Sequence, residues 1–293
     1  MKAEVYERIT AQIVARMETC GSDWLPSWTN GGYSIMPSNP VSKWKYRGLN
    51  TLMLWLEQQQ RSYRLPLWAT YKQWSSIGAQ VDKGQKGTMI MFYKKYEAGK
   101  DANGDPEIRS TARVSWVFNA AQVSGWIAPV QIPVPIEERD QTIDAFITGT
   151  GANIETSEAF SPSYIPSLDV VRMPRWRDYP SINNWYVDTF HELGHWTGHS
   201  TRLDRDLKSR FHLNSYAAEE LVAELTAAFL AGNFGMAART RDDHAKYINN
   251  WIKMLKDDPR AIITASKLAA DAAEYLLAAA SMDVVENPMA DAA

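Results

Sequence analysis

Apolar residues recur at helical spacing at the start of the chain, where Val5, Tyr6, Ile9, Ile13 and Met17 share a face and Cys20-Gly21 ends the run. Residues 24–32 and the turn formers Pro37-Ser38-Asn39-Pro40 read as irregular chain. Asn50 is placed to cap a helix through Leu52, Met53, Leu56 and Glu57. A second helix is expected from about Thr70 to Gly78. From Thr88 to Tyr96 the β-formers dominate, residues 97–106 form a polar turn, and Arg113 to Phe118 is a second strand, so this region predicts a hairpin in an α+β domain.

Prolines then punctuate the short apolar stretch from Ile127 to Ile136, which reads as a semi-rigid connector. The expected division is residues 1–127 as one domain, 128–140 as the linker and 141–293 as a second, mainly helical domain. Within the latter the pattern predicts a helix at about 138–149 and strands near 152–156 and 168–173. Two long helices and two Ala-rich C-terminal helices between about 240 and 281 follow. Asp169 to Pro174 would suit an edge strand, where an extended peptide pairs through its main chain. The last dozen residues look loose.

The first of the long helices carries His191-Glu192-Leu193-Gly194-His195. Residues four apart share a helix face, so the two imidazoles can grip one metal ion and Glu192 is left beside it. There Glu192 can take a proton from a metal-bound water, whose pKa the ion lowers from about 15.7 toward about 7. The flanking run from Trp185 to Trp196 is apolar enough to bury this helix. Gly198 matches a metzincin spacing, but Thr201 stands where that pattern has its third His. His199 follows His195 by one turn and is assigned a supporting or surface role.

The third ligand is better sought in the run from Ser215 to Leu230, which Gly232 closes. Glu220 and Glu224 emerge on or beside its apolar face, whereas Glu219 points more to solvent. Burying two carboxylates costs several kcal/mol, on the order of a lost hydrogen bond or more each, unless something positive pairs with them. One of the two would bind the ion and the other would accept the free N–H of a ligand His; Glu220 as ligand with Glu224 behind is preferred to the reverse. His212 and Tyr216 are candidate oxyanion donors. His2Glu donors take Zn2+ and also Mn2+, cobalt or nickel.

Composition divides the chain in the same place. Residues 1–130 carry 16 Lys and Arg against 10 Asp and Glu, the remainder 15 against 24, and eight of the 12 Trp fall in the first part. A lone Cys20 excludes an intrachain disulfide and a thiolate zinc cluster. No apolar stretch of membrane length and no apolar leader at Met1-Lys2-Ala3-Glu4 are seen, so a cytoplasmic protein without a membrane partner is expected.

In the basic half, charge alternates with rings along Lys43-Trp44-Lys45-Tyr46-Arg47 toward Asn50 and along Trp68, Tyr71, Lys72 and Trp74, while Lys83 and Lys86 sit in a glycine-flanked loop. Cations that track a phosphate backbone and rings that stack on unpaired bases are what hold single-stranded nucleic acid. Several Trp, such as Trp55 and Trp116, are assigned to the core instead.

Two sets of motifs together resemble the ArdC antirestriction family of conjugative plasmids, whose N-terminal domain is similar to that of TraC-type plasmid primases. They are Asn39-Pro40, Tyr46-Arg47-Gly48-Leu49-Asn50, Trp68 to Trp74, Gly78 to Val81 and Lys83 to Thr88 in the first half; in the second, His191 to His199, Arg202-Leu203 and Glu219 to Leu225. The resemblance implies a single-stranded DNA-binding domain, a zincin-like metallopeptidase domain and protection of incoming plasmid DNA, with host restriction subunits as natural targets. The rivals are a strand-coating protein whose metal is structural, and an amide hydrolase unrelated to DNA.

Overall fold

The computed structural model describes residues 3–25, 34–100, 105–128, 140–206, 215–237 and 245–282. These fall into two compact units, residues 37–128 with 3–6, and residues 7–36 with 140–282. Both mix helices and sheet, as the α+β expectation requires. Most of the proline-punctuated connector lies outside the described residues.

In the first unit, β1 (Trp68–Ala69), β4 (Pro106–Asn119) and β3 (Thr88–Lys100) form an antiparallel sheet in the order β1-β4-β3, while β2 (Gln80–Val81) pairs with β5 (Val123–Ser124). The β3–β4 hairpin is longer than its β-former runs suggest, because main-chain pairing continues through polar residues and absorbs a bulge at Glu97/Gly99. Helix α2 (Gly48–Gln60) packs on it, and Leu54, Trp68, Ile90 and Val117 close a core with Tyr46 and Tyr63.

Asn50 does not cap α2. Its side chain accepts from Met91 N–H at 2.8 Å and donates to Met91 C=O at 2.6 Å, satisfying the β3 edge away from β4. Helix α3 (Tyr71–Ser76) begins where predicted, with a capping box between Thr70 and Gln73. Trp74 is the anchor of a second core with Ala69, Ala79 and Val81, and its indole N–H donates to Phe118 C=O at 2.9 Å. Buried Asn39 accepts from Val41 N–H and donates to Gln73, so the Asn39-Pro40 motif builds a turn.

In the second unit, helix α4 (Gln141–Gly149) starts at Asp140, which accepts from Thr142 N–H at 2.7 Å. A three-stranded sheet follows, β6 (Asn153–Thr156), β7 (Ser163–Ile165) and β8 (Val170–Met173), in the order β6-β8-β7. The edge-strand expectation for Asp169 to Pro174 is therefore corrected. β8 is central, with parallel β6 on one side and antiparallel β7 on the other, so its main chain is already paired.

Helix α5 (Ile182–Trp196) carries the two histidines and packs against α6 (Ser215–Asn233), which α7 (Ala245–Asp257) and α8 (Ala261–Ala279) also contact. Nearly every residue of α6 from Ala217 to Gly232 is buried, which is why its acidic side chains matter. Helix α1 (Ala3–Cys20) buries Ile9, Ile13, Val14 and Met17, and Thr10 donates to Pro259 C=O at 2.6 Å. Its residues from Glu7 onward thus pack with the second unit, although the sequence division groups them with the first half. No helix among the described residues is long and apolar enough to cross a membrane.

Candidate functional site

Ser181 caps α5 through Asn184 N–H, and the helix then presents His191 and His195 one turn apart. Their Nε2 atoms lie 3.0 Å from each other. From α6, Glu220 places one carboxylate oxygen 3.7 Å from His191 Nε2 and the other 3.7 Å from His195 Nε2. A tetrahedral ion with bonds of about 2.1 Å keeps its donor atoms roughly 3.4 Å apart, so these three residues have the spacing and chemistry to hold a divalent metal. Glu224 lies on the other side of His191, with an oxygen 3.6 Å from Nδ1 and outside the three-residue donor group. Glu192, next along α5, is buried beside them.

A glycine permits this approach. A Cβ at Gly194 would lie 3.1 Å from Ala223 Cα and 3.3 Å from its carbonyl oxygen, so α5 and α6 cross with almost no spacing. Desolvation opposes charge on His191, but the carboxylates of Glu220 and Glu224 outweigh it and hold the imidazole up to about 10. Desolvation likewise opposes the Glu220 carboxylate, and the two histidines outweigh it, drawing its pKa down to about 2.

Glu219 corrects the sequence reading. Rather than facing solvent, its carboxylate meets His195 Nδ1 at 3.2 Å and receives two hydrogen bonds from Arg205, at 2.5 and 2.9 Å. Despite desolvation, Arg205 and then His195 bring its pKa to about 2. Arg205 was invisible in the sequence, since no spacing links it to the motif. Gly198 makes room for it: a Cβ there would sit 2.8 Å from Arg205 Nη2. His199 lies beyond the end of α5 and bonds Thr201 at 2.9 Å, so it stays out of the donor group. Arg202 donates to both Asp169 oxygens and lies over the Trp196 ring, tying the β7–β8 turn to the end of α5. Tyr216 is 63% exposed and shares a 2.9 Å hydrogen bond with Tyr247. His212 lies outside the described residues.

In the first unit the predicted DNA contacts separate by burial. Trp68 and Trp74 are fully buried, and a ring with no accessible face cannot stack on a base, so both are core residues. Tyr46 is half-buried with its hydroxyl on Trp68 C=O, Asn50 is engaged by β3, and Arg47 is half-buried. Lys43, Lys45, Tyr71, Lys72, Lys83 and Lys86 remain exposed. The ring that sequence reasoning placed in the core, Trp116, is 53% exposed. It stands on the face of β4 opposite buried Val117, and its Cβ would lie 3.2 Å from a Cβ at Gly87, which borders the lysine loop. Strand alternation was the available signal: Val117 and Asn119 point inward, so Trp116 points out.

Two family models match the chain. Residues 3–123 match the N-terminal domain of anti-restriction factor ArdC, and residues 141–268 a zincin-like metallopeptidase. An uncharacterized protein, y4eC, from Sinorhizobium fredii is 36% identical over 99% of this chain and 96% of its own length. A DNA primase TraC from Escherichia coli is 33% identical over 98% of this chain, which spans only 28% of that primase. Crystal structures of the antirestriction ArdC protein from plasmid R388 superpose in their metal-free form with a TM-score of 0.79 at 35% identity, covering 95% of this chain and 99% of that one. The Mn(II)-bound form gives 0.75 at 34% identity, covering 96% and 99%. With both halves matched in order and a solved ArdC protein covered almost end to end, the chain belongs to the ArdC antirestriction family.

Proposed function

We propose that the chain is an antirestriction protein that binds single-stranded DNA through its first unit and hydrolyses peptide bonds in its second, protecting plasmid DNA as it enters a new host. The observation that carries the hydrolase half is the convergence of His191, His195 and Glu220 within 4.8 Å. Three protein donors leave a coordination position open, which favours a catalytic over a closed structural site. The ion, Zn2+ by donor type or Mn2+ as in a solved relative, supplies Lewis acidity and lowers the pKa of water when bound. Glu192 is the base that takes the proton of the attacking water and returns it to the leaving amine nitrogen. Glu224 faces His191 from behind and fixes its ring.

For the DNA half, the exposed Lys43, Lys45, Lys72, Lys83 and Lys86 attract phosphates, and Tyr71 and Trp116 offer rings to unpaired bases. The functional boundary falls within residues 128–140, consistent with family matches that stop at 123 and resume at 141. Tethering a peptidase to a DNA-binding unit raises its effective concentration near proteins on the strand, such as restriction subunits in the cytoplasm.

Glu192→Gln tests the central step. The variant is expected to retain its metal content while losing cleavage of restriction subunits and protection in a conjugation assay. Full protection by a metal-loaded, cleavage-dead variant would replace this account with the second reading, a non-catalytic single-stranded DNA-binding protein with a structural metal. That reading draws on the burial of His191, Glu192 and Glu220.

A further inference from the structure

Arg205 has a side chain only 2% exposed, and it is committed at four points. It donates to Gly194 C=O at 2.8 Å, to Thr197 Oγ1 at 2.9 Å and to both oxygens of Glu219. Two of these anchor it to α5 and the segment just after it, and the other two hold Glu219 of α6 in one orientation. A carboxylate gripped by a guanidinium fork accepts hydrogen bonds and has none to donate. His195 Nδ1, 3.2 Å from Glu219 Oε1, must then be the donor.

We propose that Glu219, locked by Arg205, is a positioning residue that keeps the His195 proton on Nδ1 and thereby turns the Nε2 lone pair toward His191 and Glu220. This rests on the reading of His195 as a metal ligand only for its consequence, not for the tautomer itself. Gly198 belongs to the device, since a side chain there would displace the guanidinium. His191 has a different arrangement, with a Glu224 oxygen behind it 3.6 Å from Nδ1.

Long-range 1H–15N spectra of the metal-free protein at neutral pH read the tautomer directly, and Mn2+ titration reads its consequence. Wild type is expected to show Nδ1–H and a bare Nε2 on His195. In Glu219→Ala the proton moves at least partly to Nε2, and Mn2+ affinity falls by about 10–100-fold with the thermal midpoint as a check on folding. Glu219→Gln keeps an oxygen acceptor, so it retains the tautomer and falls between the two in affinity. It also decides the matter if Glu219→Ala does not fold. A wild-type proton on Nε2, or unchanged tautomer and affinity in a folded Glu219→Ala protein, or a Glu219→Gln protein whose His195 proton moves to Nε2 with no loss of affinity, overturns the proposal. If wild type takes up no Mn2+ the metal reading fails by itself, and the metal-free spectra still decide whether the clamp exists.

Discussion

Gly194 faces Ala223 where α5 crosses α6, so closely that a Cβ on the glycine would come within 3.1 Å of Ala223 Cα. Glycine inside a helix ordinarily costs about 0.5–1 kcal/mol relative to Ala. Here Gly194→Ala would thrust a methyl against Ala223 Cα at 3.1 Å and Thr226 Cβ at 3.2 Å, neither of which can swing aside. Overpacking of this kind costs roughly 1–3 kcal/mol, which exceeds the helix gain. The variant is expected to lower the thermal midpoint and weaken Mn2+ binding, because Glu220 withdraws from the histidines. Calorimetric metal titration beside thermal unfolding measures both.

Trp74 and Trp116 should respond oppositely. Trp74→Ala removes a fully buried indole and its hydrogen bond to Phe118, costing about 3–5 kcal/mol of stability. Trp116→Ala leaves stability nearly unchanged and lowers affinity for single-stranded DNA by about 1–3 kcal/mol if its ring stacks on one base. Chemical denaturation and oligonucleotide binding at stated salt separate the two, and equal DNA binding by Trp116→Ala would remove that ring from the interface.

Lys83 and Lys86 flank Gly84, whose φ of +87° sets the turn, and the Gln122 side chain donates to Lys86 C=O at 2.9 Å, so the lysine loop is held in place. If each contacts a phosphate, Lys83→Gln and Lys86→Gln should each reduce the slope of log affinity against log salt by about 0.7 on single strands. A salt series on each variant measures that slope.

Asn50→Ala removes both hydrogen bonds that satisfy Met91 on β3, so a loss of about 1–3 kcal/mol is expected. Asn50→Asp keeps the acceptor for Met91 N–H and loses the donor to its carbonyl. Urea denaturation should rank wild type above both variants.

Asp169 is held below its ordinary pKa of 3.8, chiefly by hydrogen bonds from Arg202 and against the opposing effect of desolvation. A folded pKa below the unfolded one means the pair stabilises fully above that value and loses its effect as pH falls through the folded pKa. Asp169→Asn should therefore lower the thermal midpoint at pH 7, where a pair whose carboxylate is exposed contributes up to about 1 kcal/mol. The difference from wild type should shrink steadily below about pH 4. Thermal scans across that range test the sign.

Much of the local structure was legible because it depends on neighbours in the chain. Helical periodicity marked α1, α5 and α6, the pattern placed the start of α3 near Thr70, and the four-residue step from His191 to His195 required a shared face whatever the rest of the fold did. The same periodicity pointed to Glu220 and Glu224 as buried acids, and burial of acids demands a positive partner.

Tertiary packing decided what periodicity could not. Which carboxylate faces the Nε2 atoms depends on how closely α5 and α6 approach, which Gly194 allows and only the crossing sets. Glu219 found its partner through Arg205, a residue that reaches back from the segment after α5. The ring-and-charge pattern of the first half did not distinguish buried Trp68 and Trp74 from exposed Trp116, since Trp serves a core and a stacking surface with the same indole. Strand order likewise put Val170–Met173 in the middle of its sheet, because main-chain pairing leaves no mark on side-chain alternation. The sequence by itself determined which residues had the chemistry; the contacts between distant segments decided which of them meet.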